Sequence, residues 1–211
     1  LILKNGVQAL IPTESHIEVQ LSHGTLNADL VLMSVGVKPE TDIAQKAGIL
    51  CNARGAILVD EHMRTSKPDI YAVGDAIAVT NFVTKQEAYI PLAGPANKQG
   101  RIAADHICGR NVSFKGTQGT SILKLFDMTV ATTGIHELQA KQSNLDYDTI
   151  ITYSPSHATY YPNAKNMMIK TIFEKQSGKI LGAQLVGYEG VDKRCDVLAT
   201  AIRAGMPAYD L

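Results

Sequence analysis

Polar and apolar residues alternate near the start of the chain in the pattern of an antiparallel hairpin. Ile17, Val19 and Leu21 alternate with polar residues, which places every second side chain on the same face of a strand. Ser22–Gly24 predicts a turn, and Leu26–Asp29 predicts the returning strand. The first segment is therefore predicted to be β structure.

Three short apolar runs farther along predict strands inside a sheet. They are Leu30–Val35, Ala56–Val59 and Ile70–Val73. A run without polar alternation, bounded by turn residues, is typical of a strand that is covered on both faces. We therefore assign the first half of the chain to the α/β class.

Two helices are predicted in the same half. The first spans Asp42–Gly48, with Thr41 as a candidate N-cap and a closing glycine. The second spans Pro91–Gly109. One face of this second helix carries its small and apolar residues, Ala96, Gly100, Ala103 and Ile107.

The pattern changes after the polar, glycine-bearing segment Gly116–Gly119, which is the clearest candidate for a domain boundary. Helices are predicted at Ile135–Lys141 and at Val191–Ala204, where Gly205 ends the second one. Gln176–Lys179 predicts a hairpin turn. Strands are predicted at Ile122–Phe126, Thr129–Thr133, Thr149–Tyr153, Met167–Phe173 and Ile180–Val186. These elements predict an α+β module.

Composition and charge limit the classes of function. The formal net charge is zero, so nothing favours nucleic acid or an anionic membrane surface as a partner. No apolar run approaches the roughly 20 residues of a membrane span. The three cysteines, Cys51, Cys108 and Cys195, have neither Cys-x-x-Cys nor zinc spacing, so no metal site is predicted. Isolated cysteines favour a cytoplasmic location, and Cys195 is expected to be a core thiol.

The segment Gly74-Asp75-Ala76 follows the run Ile70–Val73 and is the strongest candidate for a ligand site. Glycine lets the backbone approach a ligand closely. A carboxylate at the carboxyl end of a strand can accept hydrogen bonds from sugar or ribityl hydroxyls. The alternative is an ordinary turn.

Five segments together resemble the pyridine nucleotide-disulfide oxidoreductases, flavoproteins with two dinucleotide-binding domains. The branch they resemble contains coenzyme A disulfide reductase, NADH oxidase and NADH peroxidase. Thr65–Ala76 resembles the second flavin-contacting motif, and Asp29–Glu40 resembles the end of the NAD domain. Leu92–Arg101 resembles the helix start beside the flavin ring, whereas Tyr160–Pro162 and Gly190–Arg194 resemble parts of the dimerisation domain.

The resemblance implies which residues contact FAD. Asp75 would hold the ribityl chain, and the backbone around Gly74 and Ala76 would lie near the pyrophosphate. Backbone N–H groups at Leu92 and Ala93, at the positive end of a helix dipole, would face the pyrimidine edge of the flavin. A helix cap packed on the sheet, without any ligand, is the alternative for these last two.

Other positions are implied to contact the substrate or the partner subunit. Asn97 falls where the coenzyme A reductase branch can place a substrate-contacting side chain. Tyr160 or Tyr161 would reach across a homodimer into the partner's active site; the alternative is a pair of interface or core aromatics. The segment Asp192–Arg194 predicts a charged helix face, with an interface or coenzyme-phosphate contact as the alternative.

The resemblance divides the chain into residues 1–50, the C-terminal part of an NAD(P)-binding domain; 51–116, the C-terminal part of an FAD-binding domain; and 117–211, a dimerisation domain. It implies an FAD-dependent NAD(P)H oxidoreductase that reduces a disulfide, oxygen or peroxide. The sequence lacks the Gly-x-Gly-x-x-Gly turns and the redox cysteine of that family. We therefore expect a C-terminal fragment that is inactive alone. The alternative is a non-catalytic dimerisation or interaction module.

Overall fold

The hairpin predicted near the start of the chain is part of a three-stranded antiparallel sheet. The computed structural model describes residues 1–211, and residues 1–38 form its first unit. Strands β1 (Val7–Pro12), β2 (Ile17–Leu21) and β3 (Thr25–Ala28) lie in sequence order. The predicted pairing of β2 with β3 is confirmed.

The buried strand predicted at Leu30–Val35 is wrong. The segment has no strand pairing, and Leu32 and Val35 are each 84% exposed. A strand exists only through hydrogen bonds to a neighbouring strand, and β1, β2 and β3 pair only among themselves. The apolar run therefore lacks both the partner strand and the covering layer that the prediction assumed.

Residues 39–211 form the second unit, which begins with two predicted helices. Helix α1 spans Asp42–Lys46 and helix α2 spans Ala93–Ile107. Thr41 precedes α1, but its hydroxyl donates to the Gly55 carbonyl at 2.5 Å instead of capping the helix. Two helices are thus confirmed, and Thr41 is confirmed as the N-cap residue of α1, although its hydroxyl bonds across the chain and not to the helix backbone.

The predicted strands at Ala56–Val59 and Ile70–Val73 are reduced to single bridges. Ile57 pairs with Ile77 and with Cys51, and Tyr71 pairs with Arg64. Isolated bridges do not continue into a ladder, so neither run is a strand. Short antiparallel strands β4 (Val79–Thr80) and β5 (Glu87–Ala88) follow. Both runs still correctly predicted burial in part, because Ile57 lies in a core cluster and Tyr71 packs against that cluster.

The face that helix α2 buries overlaps only in part with the one predicted. Gln99 and Ala103 are its buried residues, whereas Gly100 and Ile107 are exposed. The predicted face was drawn through small and apolar residues. The actual face is rotated because the buried Gln99 side chain bonds to the backbone beside the helix.

The last part of the chain is the predicted α+β module. Its five-stranded antiparallel sheet has the order β6-β7-β10-β9-β8. The strands are β6 (Ser121–Leu125), β7 (Met128–Gly134), β8 (Tyr147–Pro155), β9 (Asn166–Glu174) and β10 (Ile180–Gly187). Helices α3 (Glu137–Gln142) and α4 (Val191–Ala204) complete it. All five predicted strands and both helices are confirmed.

Helix α4 covers one face of this sheet. Its Val191, Cys195 and Leu198 form a core cluster with Ala131 of β7 and Leu185 of β10. Cys195 is 3% exposed, which confirms the predicted core thiol. Gly205, with φ of 70°, ends the helix as predicted.

The opposite face of the sheet carries an apolar row. Directly paired residues of antiparallel strands share a face, so the register aligns one residue from each strand across the whole sheet. The row consists of Leu123, Val130, Val186, Met168 and Tyr153. Leu123 and Tyr153, at its two ends, are exposed.

None of the helices combines the length and the apolar character needed to cross a bilayer. The division into residues 1–50, 51–116 and 117–211 stays a prediction.

Candidate functional site

The segment Gly74–Ala76 forms one turn of 3₁₀ helix. Val73 enters it in an extended conformation, and Gly74 has φ of 76°, a left-handed conformation that glycine adopts without steric cost. Asp75 is exposed and forms neither a hydrogen bond nor an ion pair with the protein. The turn therefore presents a carboxylate whose oxygens are free to accept hydrogen bonds from a ligand.

Helix α2 fixes the position of this turn. The Gly74 N–H donates to Oε1 of Gln99 at 2.8 Å, and Gln99 is 1% exposed. A Cβ at Gly74 would lie 3.8 Å from Cβ of Ala96, so the turn and the helix are in close contact. A buried, paired amide of this kind is costly to disrupt, which makes Gln99 a positioning residue for the turn.

Gln99 was not among the site residues predicted from the sequence. It lies on a helix face that also holds Ala96 and Ala103. A polar side chain between small apolar ones on a buried face needs a hydrogen-bond partner. The sequence therefore indicated that Gln99 must hydrogen-bond to some other group, but it did not show that this group is the Gly74 N–H.

The first turn of α2 leaves backbone donors free. Leu92 is the N-cap, is extended, and provides no side-chain cap. The N–H groups of Ala93 and Gly94 donate to no protein group, and Pro95 has no N–H. Helix N-termini carry partial positive charge and favour electron-rich ligand atoms. Since the Gly74 N–H bonds to Gln99 of the same helix, these donors lie on the helix that holds the Asp75 turn.

Tyr89 lies within the electrostatic influence of Asp75. Burial raises the pKa of the Tyr89 phenol, and the negative charge of Asp75 adds to that rise. The phenol is therefore neutral at physiological pH. It remains able to donate a hydrogen bond.

Tyr160 and Tyr161 lie on the loop of residues 156–165, here called the tyrosine loop, which joins β8 to β9. Tyr160 is 84% exposed and Tyr161 is 62% exposed, and their ring centroids are 5.3 Å apart. The alternative of core aromatics is therefore wrong, because both side chains are largely exposed to solvent. No hydrogen bond or ring contact joins either tyrosine to the Asp75 turn.

The other candidate positions differ from one another. Asn97 is exposed on α2 and forms no side-chain hydrogen bond. Asp192 and Lys193 are exposed at the start of α4, as a charged helix face would be. Arg194 is half-buried and bonds to the carbonyl of Ser156, so it departs from that description.

Comparison with known proteins decides the family. The family model described as pyridine nucleotide-disulphide oxidoreductase matches residues 1–100. The dimerisation domain model of the same family matches residues 120–211. Only the 19 residues between these two matches lie outside them.

The chain belongs to the pyridine nucleotide-disulphide oxidoreductase family.

Similar members of this family include reductases of sulfur compounds. A coenzyme A disulfide reductase of Staphylococcus epidermidis is 35% identical over 92% of the chain and 44% of its own length. A CoA-dependent NAD(P)H sulfur oxidoreductase of Pyrococcus abyssi is 32% identical over 89% of the chain and 42% of its own length. The crystal structure of reduced CoADR-RHD from Bacillus anthracis is 49% identical, with a TM-score of 0.93, over 99% of the chain and 37% of the solved chain. The chain thus spans less than half the length of each relative.

The predicted fold class is confirmed by these family matches.

The cysteines of this family member are all free. Burial raises the pKa of the Cys195 thiol, and the neighbouring Asp196 carboxylate adds to the rise. A raised pKa lowers the thiolate fraction, which makes a thiol a poorer nucleophile. Cys51 is half-buried and Cys108 is exposed, and the Cys51 thiol donates to the Ile49 carbonyl oxygen, not to the Asp75 turn. No group of three or more metal-ligating side chains comes together.

Proposed function

We propose that the chain provides part of the flavin site and the dimerisation domain of an FAD- and NAD(P)H-dependent oxidoreductase that reduces a disulfide of the coenzyme A type. One observation carries the proposal. The Asp75 turn is held by Gln99 against the first turn of α2, where two backbone donors are free. A polyol and an electron-rich ring edge are the ligand groups that this pair of features suits.

The donors and acceptors present fit two parts of FAD. The exposed Asp75 carboxylate has the acceptor capacity for ribityl hydroxyls, and the left-handed backbone of Gly74 leaves space that a side chain would fill. The free N–H groups of Ala93 and Gly94 suit the carbonyl oxygens of a flavin pyrimidine edge. These residues would hold the ribityl chain and the ring edge of the cofactor.

The residues of this chain have binding and electrostatic roles. When bound, FAD accepts hydride from NAD(P)H and supplies electrons to a thiol centre. The N-terminus of α2 stabilises negative charge that develops at the ring edge. Gln99 keeps the Asp75 turn in place. The resemblance to the family assigns the redox role to none of the three cysteines, so the reducing thiol would come from a part of the protein beyond these residues.

The tyrosine loop provides the second functional element. Tyr160 and Tyr161 present phenol O–H groups to solvent on a loop whose base is hydrogen-bonded. A phenol can donate to a thiolate or to a substrate carbonyl. We propose that this pair completes the active site of the partner subunit. Separately, we propose that Asn97 contacts the substrate.

We propose a homodimer that buries the apolar row of the five-stranded sheet. The row crosses all five strands on the face opposite α4, and its ends are exposed. An apolar row on an open sheet face is typical of an association surface. The match to a dimerisation domain supports a second copy of the chain as its occupant.

Replacing Leu123 by Glu is expected to weaken self-association by about tenfold or more, because the burial of one leucine contributes about 1.5–3 kcal/mol. Sedimentation equilibrium measures this change. Ile122→Glu is the matched control, since the two residues are adjacent and similarly exposed, at 54% and 63%, but point to opposite faces of β6. Equal effects of the two substitutions would rule out the apolar row as the interface.

The proposed oxidoreductase is tested by FAD titration of the intact protein, followed by anaerobic addition of NADH or NADPH. We expect a bound-flavin absorption band that bleaches, and whose colour returns when coenzyme A disulfide is added. Return of the colour only on admission of oxygen or peroxide would assign those acceptors instead.

We also propose a cytoplasmic location, which the three free cysteines support.

The alternative is a non-catalytic dimerisation or interaction module. The favouring observation is that residues 121–204 contain a complete sheet with its own helix and core. Self-association of the intact protein without any flavin band would support this alternative. The same result would remove Asp75 as a cofactor ligand.

A further inference from the structure

The tyrosine loop is closed at its base by two hydrogen bonds. The Ser156 N–H donates to the Lys165 carbonyl at 2.9 Å, and the Lys165 N–H donates to the Ser156 hydroxyl oxygen at 3.3 Å. Ser156 is buried. The orientation of everything beyond this base, including both tyrosines, therefore depends on how Ser156 is held.

His157 braces the interior of the loop. Its Nε2 lies 3.2 Å from the Pro162 carbonyl oxygen, and a carbonyl can only accept, so Nε2 carries the proton. Nδ1 then accepts from the Ser156 hydroxyl at 3.0 Å. The His157 ring also meets the Tyr161 ring edge-on, with centroids 6.4 Å apart. The brace links the base of the loop to one of its tyrosines.

Arg194 anchors the base of the loop to α4. Its Nη2 donates to the Ser156 carbonyl oxygen at 2.9 Å. Arg194 lies in the first turn of α4, where the helix dipole disfavours a cation, and it forms no ion pair with any carboxylate. Neither helix electrostatics nor charge pairing accounts for an arginine at this position. The hydrogen bond from its guanidinium to the Ser156 carbonyl explains the arginine instead.

Gly190 provides the space that this contact requires. A Cβ at position 190 would lie 3.2 Å from Nη1 of Arg194 and 3.7 Å from the Ser156 oxygen. Gly190 also has φ of 73°, a conformation that residues with a side chain rarely adopt. The missing side chain thus leaves the guanidinium room to reach the loop.

We propose that Arg194 is a positioning residue that, through Ser156, fixes the orientation of the Tyr160–Tyr161 pair. The importance of this orientation for catalysis rests on the proposed function. The positioning itself is a property of the chain and is measured without activity.

Amide hydrogen exchange followed by NMR on the 211-residue chain tests the positioning. In Arg194→Met we expect the Tyr161 and Lys165 amides, which donate within the loop, to exchange about tenfold faster or more. Lys193→Met is the matched control, because Lys193 is the preceding, exposed residue of the same helix turn. Arg194→Lys retains a donor and is expected to restore part of the protection.

A second pair of variants separates displacement of Arg194 from general strain. Gly190→Ala and Gly205→Ala both place alanine in a left-handed conformation, at φ of 73° and 70°. Only the Gly190 substitution crowds Arg194, since a Cβ at Gly205 meets nothing within 4 Å. We expect similar losses of Tm but faster exchange in the tyrosine loop for Gly190→Ala alone.

The outcomes are separable. Loop exchange that is unchanged in Arg194→Met, or that changes equally in Lys193→Met, overturns the proposal. Faster loop exchange specific to Arg194→Met and Gly190→Ala supports it. In the intact protein, Arg194→Met should then lower kcat for disulfide reduction and leave KM for NADH unchanged. Full activity of a Tyr160→Phe, Tyr161→Phe double variant would instead contradict the proposed role of the tyrosines, whatever the exchange shows.

Discussion

Replacing Gly182 by alanine is expected to cost about 4 kcal/mol or more of the free energy of unfolding, because the new methyl group would collide with backbone atoms. A Cβ at position 182 would lie 1.8 Å from the Ile135 carbonyl oxygen and 2.6 Å from the Ile135 nitrogen. Backbone atoms cannot rotate away as the end of a flexible side chain can. Losses of this size are rare and follow from a specific mechanism such as overpacking.

The collision would disturb the centre of the sheet. Gly182 pairs with Gly134 of β7 and with Ile172 of β9, so moving β10 away from Ile135 weakens both ladders. Domains have total stabilities of about 5–15 kcal/mol, which makes the expected loss a large part of the whole. Urea unfolding followed by far-UV circular dichroism measures it through the transition midpoint and slope.

The matched control for Gly182 is Gly100→Ala on α2. A Cβ at Gly100 meets nothing within 4 Å, and alanine is more favourable than glycine in a helix interior by about 1 kcal/mol. This substitution should leave stability unchanged or raise it slightly. A Gly182→Ala protein within 1 kcal/mol of the wild type would show that β10 and Ile135 can separate at little cost, contrary to the close packing seen here.

Removing the Asp75 carboxylate is expected to have the second largest effect, on cofactor affinity and not on folding. In Asp75→Ala we expect FAD to bind about 10- to 100-fold more weakly, since hydrogen bonds to a charged group contribute about 1.5–3 kcal/mol. Asp75 is exposed and has no partner within the protein, so the urea midpoint should not change. Fluorescence titration of the intact apoprotein with FAD measures the affinity.

Asp69→Asn is the control for Asp75→Asn, a variant that removes the charge while keeping the shape. Asp69 is an exposed carboxylate a few residues earlier, in the loop before the turn. Asparagine also tolerates its positive φ of 61°. Both substitutions change the net charge equally, so only a loss of affinity confined to position 75 assigns the ribityl contact. Equal losses would indicate a general electrostatic effect, and no loss at either position would contradict the contact.

The two halves of the chain differ in how well their sequence predicted their structure. In the five-stranded module each strand pairs with its neighbours in this chain, so alternation along the sequence matched alternation across the sheet. In residues 30–73 the apolar runs predicted strands that need partners on both sides. Leu30–Val35 has none, and Ile57 and Tyr71 form single bridges. A run of apolar residues signals that burial is favourable but does not provide the neighbour that makes a strand.

The candidate site shows the same limit at the level of single side chains. The order of motifs identified the Gly74–Ala76 turn and the start of the following helix. It did not show that Gln99 joins the two, because this bond depends on the rotation of α2 about its axis. Likewise, Tyr160 and Tyr161 stood out in the sequence, whereas the bond from Arg194 to Ser156 spans 38 positions.

The sequence by itself determined the family resemblance, the α+β module with its hairpin turn and last helix, the buried thiol of Cys195, and the position of the Asp75 turn. Local periodicity and glycine chemistry act within a few residues, and they suffice for these features. Only the tertiary structure decided which apolar runs became strands, which face α2 buries, and which side chains hold the turn and the tyrosine loop. Those outcomes depend on hydrogen bonds and contacts between residues far apart in the chain, and no local pattern encodes the partner.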